Sequence, residues 1–302
     1  METGYEKDLL ILPFDHRGSL LKKLFGIEGR KPTEAEAKEY ALLKEMVYEG
    51  FLESVKMGVP KQTAAILVDE EFGANILKDA KAKGFMTAMP TEKSGQGEFD
   101  FEHADFKGHI KKIDPTFVKV LVRCNPEADR AMNERQLERL KKASDFSHSV
   151  GKKFIFELLV PATEQQLRQC SNDKGRYDLE LRPKLMVKAM AEIQSAGIEP
   201  DVWKLEGVQR IEDSKALVKQ AQQGGRKSGI ITLGRGEDTE KVKEWLKVGA
   251  KVKGIIGFAV GRTIFWEPMK ALHEGKISRS SAARQVAENY KMLVDLWNRE
   301  RA

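Results

Sequence analysis

Lys204 lies inside the apolar run Val202-Trp203-Lys204-Leu205-Glu206-Gly207, where an ammonium is costly because burial disfavours the charged form. Burial can depress a lysine pKa by several units and supply a neutral amine, the form that attacks a carbonyl to make a Schiff base. A strand-end lysine could equally pack its stem and send its head to water. Three further apolar segments are interrupted in the same way: Phe14-Asp15-His16-Arg17-Gly18, Val118-Lys119-Val120 and Phe156-Glu157-Leu158. Side chains alternate along a strand, so Lys204 shares a face with Val202 and Glu206, Glu157 with Ile155 and Leu159, and Lys119 with Leu121 and Arg123. If those faces line one interior, two lysines and a glutamate from consecutive strands meet.

Lys204 and Glu157 alone would make a structural ion pair. A second lysine breaks that balance. Two ammonium groups in one cavity repel, and a neutral lysine beside a proton-shuttling carboxylate is what carbinolamine formation and dehydration require. Asp15 would add a second carboxylate, able to hold a lysine or to accept a substrate hydroxyl proton during carbon–carbon cleavage.

Positioning such a set calls for strands that share one interior. Apolar, β-branched runs predict strands over 9–15, 64–70, 86–90, 117–124, 154–160, 202–207, 229–234 and 254–260. Helical patterns fall over 33–57, 74–83, 134–150, 181–196, 211–222, 239–247, 265–273 and 278–301. The strands are nearly continuous apolar runs, as parallel strands covered on both faces should be. Gly84, Gly151, Gly197 and Gly249 precede strands, where a helix ends on a left-handed residue. The fold expected is an α/β (β/α)8 TIM barrel, one domain over 1–302 with an extra C-terminal helix. The third unit is the weakest, because 86–90 is short and Ser94-Gly95-Gln96-Gly97 opens a poorly patterned stretch containing His103 and His109.

Composition excludes several classes. No stretch approaches the roughly 18 apolar residues that cross a bilayer, and the polar, acidic start Met1-Glu2-Thr3-Gly4-Tyr5-Glu6 does not read as a secretory signal. The two cysteines, Cys124 and Cys170, give neither a disulfide framework nor a zinc site, which favours a reducing cytoplasm. The 52 basic residues are interleaved with 46 acidic ones for a net charge of +6, the pattern of solvated helix faces rather than of a nucleic-acid surface. Modest positive charge would steer a phosphorylated substrate. His16, His103, His109, His148 and His273 show no HxxxH or HxH pairing, so a metal-dependent mechanism is not expected.

The chain resembles the class I aldolases of the tagatose-1,6-bisphosphate and sulfofructose-phosphate aldolase type. It is most similar to the aldolase-like domain (DUF2090) fused behind 5-dehydro-2-deoxygluconokinase. The resemblance rests on 14–19 (FDHRGS), 117–121 (FVKVL), 154–158 (FIFEL), 201–206 (DVWKLE) and 257–266 (GFAVGRTIFW), which keep the family's order across most of the chain. It implies a metal-independent, cofactor-free aldolase with Lys204 as the Schiff-base lysine and Glu157 as the proton shuttle. Lys119 would tune that lysine, and Asp15 would handle the substrate hydroxyl. Arg262 and the amides around Gly261 would hold phosphate, which suits the loops after the seventh and eighth strands of such barrels.

One departure stands out. The seventh strand ends Thr232-Leu233-Gly234-Arg235-Gly236 instead of in a turn of small residues. Gly234 and Gly236 still allow close backbone approach, whereas Arg235 suits a carboxylate or a second phosphate, or equally a helix-capping salt bridge. Arg17, His16 and Arg123 are further ligand-binding candidates. The substrate implied is a phosphorylated ketose or keto-sugar acid, with 5-dehydro-2-deoxygluconate 6-phosphate the first choice and tagatose, fructose or sulfosugar phosphates as alternatives. A barrel isomerase using Glu157 and Asp15 as acid and base, or a non-catalytic sugar-phosphate binder, would carry the same residues without an imine. No nucleic-acid or membrane partner is expected. The helix over 278–301 should cover its own barrel or, in a homo-oligomer, a partner subunit.

Overall fold

The computed structural model describes residues 3–301. Eight parallel strands close into one barrel in chain order: β1 (Leu9–Pro13), β2 (Ala64–Leu67), β3 (Met86–Pro90), β4 (Phe117–Arg123), β5 (Lys153–Leu159), β6 (Val202–Glu206), β7 (Gly229–Leu233) and β8 (Ile255–Ala259). Helices follow the strands and cover the outside, so the (β/α)8 expectation holds. Several strands end short of the expected boundaries because the next residues turn to cap helices. Asp69, expected inside the second strand, instead accepts the Phe72 amide at 2.9 Å and caps helix Glu70–Ala82.

Helices Gly18–Phe25, Phe106–Ile113 and Glu164–Gln169 were not expected, since each is too short to show a helical period. Gly84, Gly151 and Gly197 take positive φ at the lower turns, whereas Gly249 lies within helix Thr239–Ala250 and Gly254, at φ 102°, makes that turn. Among the described residues no helix is long and apolar enough to cross a membrane.

Alternation along the strands sorts the core into two layers. Leu9, Ile11, Phe117, Ile155, Val202 and Ile231 fill the barrel interior. Leu10, Leu12, Val118, Phe156 and Trp203 point outward against the helices. Tyr5 closes the lower end, its ring edge-on to Phe117 at 5.2 Å. Lys119, Glu157 and Lys204 each stand two residues beyond an interior apolar residue, so they occupy the next interior layer. The register pairs Glu157 with Lys204 and Leu121 with Glu157.

The terminal helix Arg279–Arg301 packs on its own barrel. Val286, Tyr290, Leu293 and Trp297 are fully buried, and the Tyr290 hydroxyl donates to the Leu10 carbonyl at 2.6 Å. It meets helix Glu34–Lys56 at Gly50, where a β-carbon would stand 2.6 Å from the Ala283 carbonyl. Gly50→Val should therefore cost about 2 kcal/mol and lower the denaturation midpoint without changing the slope; an unchanged midpoint would contradict this docking.

Candidate active site

At the carboxyl ends of the strands a cavity of about 310 Å³ opens, lined by Asp15, Glu92, Lys119, Glu157, Lys204 and Arg262 among others. The Lys119 ammonium sits at its floor, 1% exposed, within 3.0 Å of Asp15 Oδ2, 2.6 Å of Glu92 Oε1 and 2.9 Å of Glu157 Oε2. Lys204 Nζ donates to the same Glu157 Oε2 at 2.9 Å. The two lysines thus converge on one oxygen, and the four residues singled out in the sequence meet in one cluster.

Burial opposes the charge on Lys119, yet the surrounding carboxylates of Asp15, Glu157 and Glu92 outweigh it and hold the ammonium well above the ordinary lysine range. Asp15 and Glu157 are buried too, which favours their neutral forms, but Lys119 and Lys204 prevail and keep both below the usual carboxylate range. For Glu92 burial wins and raises its pKa, despite Lys119 and Arg17. Glu92 Oε2 is buried with no hydrogen-bond partner, so this carboxyl is the one best placed to bind a proton.

Glu92 was missed in the sequence, although a signal existed. Ala88, Pro90 and Glu92 continue the inward alternation of β3 past its last ladder residue. The backbone is held there by Thr91, whose amide donates to the Lys119 carbonyl at 3.0 Å.

Arg17, a ligand-binding candidate, is 8% exposed; its guanidinium donates to Glu102 Oε2 at 2.8 Å and to the Glu92 carbonyl at 2.5 Å. Arg123 lines the cavity and donates to the Gln96 carbonyl. Arg235, at φ 55°, is ringed by Asp178 at 3.0 Å, Glu206 at 3.1 Å and Glu237 at 3.4 Å. Its charge is therefore met within the protein.

Arg262 is different. It opens helix Arg262–His273, whose start has no side-chain cap, and its guanidinium donates to the Arg235 carbonyl at 2.7 Å. Burial lowers its pKa, and Glu237 and Glu157 only partly offset this. An anion at this helix start would satisfy both the guanidinium and the open amides. Gly236 and Gly261 permit the close packing that shapes this corner: a β-carbon on Gly236 would stand 2.3 Å from the Arg262 guanidinium, and one on Gly261 2.3 Å from the Pro13 carbonyl. Gly234 packs closely on Val260, whose methyls would stand only 3.1 Å from a β-carbon there.

His16 shares the cavity wall, and burial, with Arg262 and Lys204 adding to it, lowers its pKa to about 4 against the pull of Asp15. The unfolded chain, with a histidine near 6.5, binds this proton first as pH falls. Stability should therefore drop between pH 6.5 and 4, by on the order of 3 kcal/mol from this group. His16→Gln should remove that part of the slope in denaturant titrations at several pH values, and an identical slope would contradict the burial of His16 as a neutral ring.

Comparison with known proteins supports the architecture. An aldolase structure, "fructose-bisphosphate aldolase from Plasmodium falciparum in complex with TRAP and a small molecule inhibitor", is 12% identical at a TM-score of 0.66, over 95% of this chain and 89% of the other. An archaeal fructose 1,6-bisphosphate aldolase gives 14% identity and 0.55, over 95% of both chains. A "Schiff Base Forming Fructose-1,6-bisphosphate Aldolase" gives 16% and 0.53, over 93% of both. These likenesses show a shared barrel fold. No curated protein matches the sequence. Residues 2–301 match the family described as "Uncharacterized protein conserved in bacteria (DUF2090)", and the chain belongs to that family.

Proposed function

We propose that this chain is a cytosolic class I aldolase, the whole of 1–302 acting as one catalytic unit that cleaves a phosphorylated keto-sugar through a Schiff base on Lys204. The observation that carries the reading is the shared oxygen: Lys204 and Lys119 both contact Glu157 Oε2 at 2.9 Å. Lys119, pinned by three carboxylates, is committed to its charge, and Lys204 faces a carboxylate that can take a proton from it. The fold shared with fructose-bisphosphate aldolases agrees with this assignment.

In the proposed reaction Glu157 takes a proton from the Lys204 ammonium and the freed amine attacks the substrate carbonyl carbon. The carbonyl oxygen then collects two protons, the one held by Glu157 and a second relayed by Glu157 from the nitrogen, and leaves as water; the resulting iminium is the electron sink. Asp15 removes the hydroxyl proton as the carbon–carbon bond breaks, its low pKa making it the anion needed at the outset. The bond's electrons enter the iminium to give an enamine. Protonation at carbon and hydrolysis release dihydroxyacetone phosphate and free Lys204. Lys119 holds Glu157 and Asp15 in place and lends positive charge to the developing oxyanion.

The phosphate would rest on Arg262, Gly261 and the Gly234-Arg235-Gly236 turn, with Arg235 supporting the turn from within its carboxylate ring. Arg123, on β4 across the barrel from β8, also lines the cavity, which favours a substrate with a second anionic end, while Arg17 braces the wall through Glu102. We infer 5-dehydro-2-deoxygluconate 6-phosphate, whose other product is malonate semialdehyde. Fructose, tagatose or sulfosugar phosphates are the alternatives with the same machinery, and an isomerase would lack the imine.

Borohydride trapping with each candidate substrate, followed by peptide mass spectrometry, tests the reading. A reduced adduct is expected on Lys204 and not on Lys119, and Lys204→Met should abolish it and lower kcat by at least about 10⁴-fold. An isomerase or an inert binder gives no adduct. Arg262→Ala should raise KM about 10- to 100-fold with a smaller change in kcat, as lost uniform binding does; an unchanged KM would remove Arg262 from the phosphate site.

A further inference from the structure

Glu70, His103 and His109 meet on the rim beside the cavity, although the two histidines lie six positions apart in no recognisable metal motif. Their ligand atoms lie within 4.8 Å of one another. The imidazoles are stacked, with centroids 4.1 Å apart and planes at 26°, and both direct a nitrogen at one carboxylate oxygen. His109 Nδ1 is 2.7 Å and His103 Nε2 3.9 Å from Glu70 Oε2. That oxygen is buried with no hydrogen-bond partner, so the 2.7 Å approach is close without hydrogen-bond geometry.

Two imidazoles and a carboxylate converging in this way form a ligand set for a divalent ion of the zinc, cobalt or nickel kind, with solvent completing the shell. Donors on one tetrahedral ion stand roughly 3.4 Å apart, a value that the two spacings to Glu70 Oε2, 2.7 and 3.9 Å, bracket. His103 is half exposed and free to make that shift. Lys112, the competing cation, reaches only the other oxygen, Glu70 Oε1, at 3.4 Å and is mostly exposed. We propose that Glu70, His103 and His109 bind a divalent transition metal that clasps the β3-to-helix segment to the start of helix Glu70–Ala82.

The place of the site gives it a consequence. Residues 91–102 fold back as a hairpin, with Lys93 donating to the Asp100 carbonyl at 3.0 Å and Glu102 to the Thr91 carbonyl at 2.9 Å. One arm carries Glu92, which touches Lys119, and the other carries Glu102, which holds Arg17. An ion on His103 fixes the base of this hairpin to its neighbour, independently of whichever reaction the cavity performs. The ion is structural in this proposal and lies outside the Lys204 chemistry.

Calorimetric titration of the untagged, chelator-stripped chain with Zn²⁺ and Co²⁺ tests the site, with the visible Co²⁺ spectrum reporting nitrogen coordination. One saturable equivalent is expected. His103→Ala, on a half-exposed residue whose loss the fold tolerates, should weaken binding by at least about 10-fold, as should Glu70→Gln. At about 100 times its Kd, Zn²⁺ should raise the Tm of the parent by roughly 4 °C and that of His103→Ala by far less. No saturable binding, or binding undiminished in both variants, would overturn the proposal.

Discussion

Three carboxylates gathered on one buried ammonium are the constraint on which the upper half of this barrel depends. Asp15, Glu92 and Glu157 come from the ends of β1, β3 and β5, and each lies within 3.0 Å of Lys119 on β4. A charge buried this deeply persists only when it is paired. Lys119 in turn makes it tolerable for Asp15 and Glu157 to stay ionised at close quarters. Glu92, the third acid, is where the balance tips, since burial raises its pKa and one of its oxygens has no partner. At rest the cluster therefore holds a fixed cation, two acids in their anionic form and a third able to store a proton, with Lys204 against one of the anions.

Barrel geometry places Lys119, Glu157 and Lys204 from within their strands, while Asp15 and Glu92 stand two residues past the ends of β1 and β3. Phe117, Ile155 and Val202 form an apolar layer, and the next inward position on each strand is Lys119, Glu157 and Lys204. A slip of one residue in any of the three strands would send its charged group outward against the helices. The apolar layer below, closed by Tyr5, keeps water from the lower side of the cluster. Above it, the exit is flanked by Arg262 at a helix start with no side-chain cap, where an anion would be stabilised.

The catalytic-looking residues were legible in the sequence because they break apolar strands, and an interruption of that kind is costly without a purpose. Lys119, Glu157 and Lys204 could be assigned to one face by counting alternate positions. Glu92 was not found, because the strand period was followed only to Pro90 and not past it. His103 and His109 were read for local spacing, whereas their meeting depends on a hairpin and a short helix that leave no periodic trace. From the sequence alone Arg235 fits an anionic ligand and a helix-capping salt bridge equally well. Its three carboxylate neighbours come from β6, the π-helical turn at Tyr177–Leu181 and the segment after β7, a grouping that only the folded chain reveals. The substrate is the least legible feature, since cavity walls with arginines on both sides describe an anion at each end and not the carbon skeleton between them.

The central claim is that Lys119 is a permanent ammonium whose charge organises the acids around Lys204. It can be tested by nitrogen-15 NMR of the lysine side-chain nitrogens across pH, with Lys119 assigned by its absence in Lys119→Met. The account predicts that the Lys119 signal remains that of an ammonium well above pH 10.5, the ordinary lysine value. Loss of the Lys119 proton at or below pH 10.5 would contradict it.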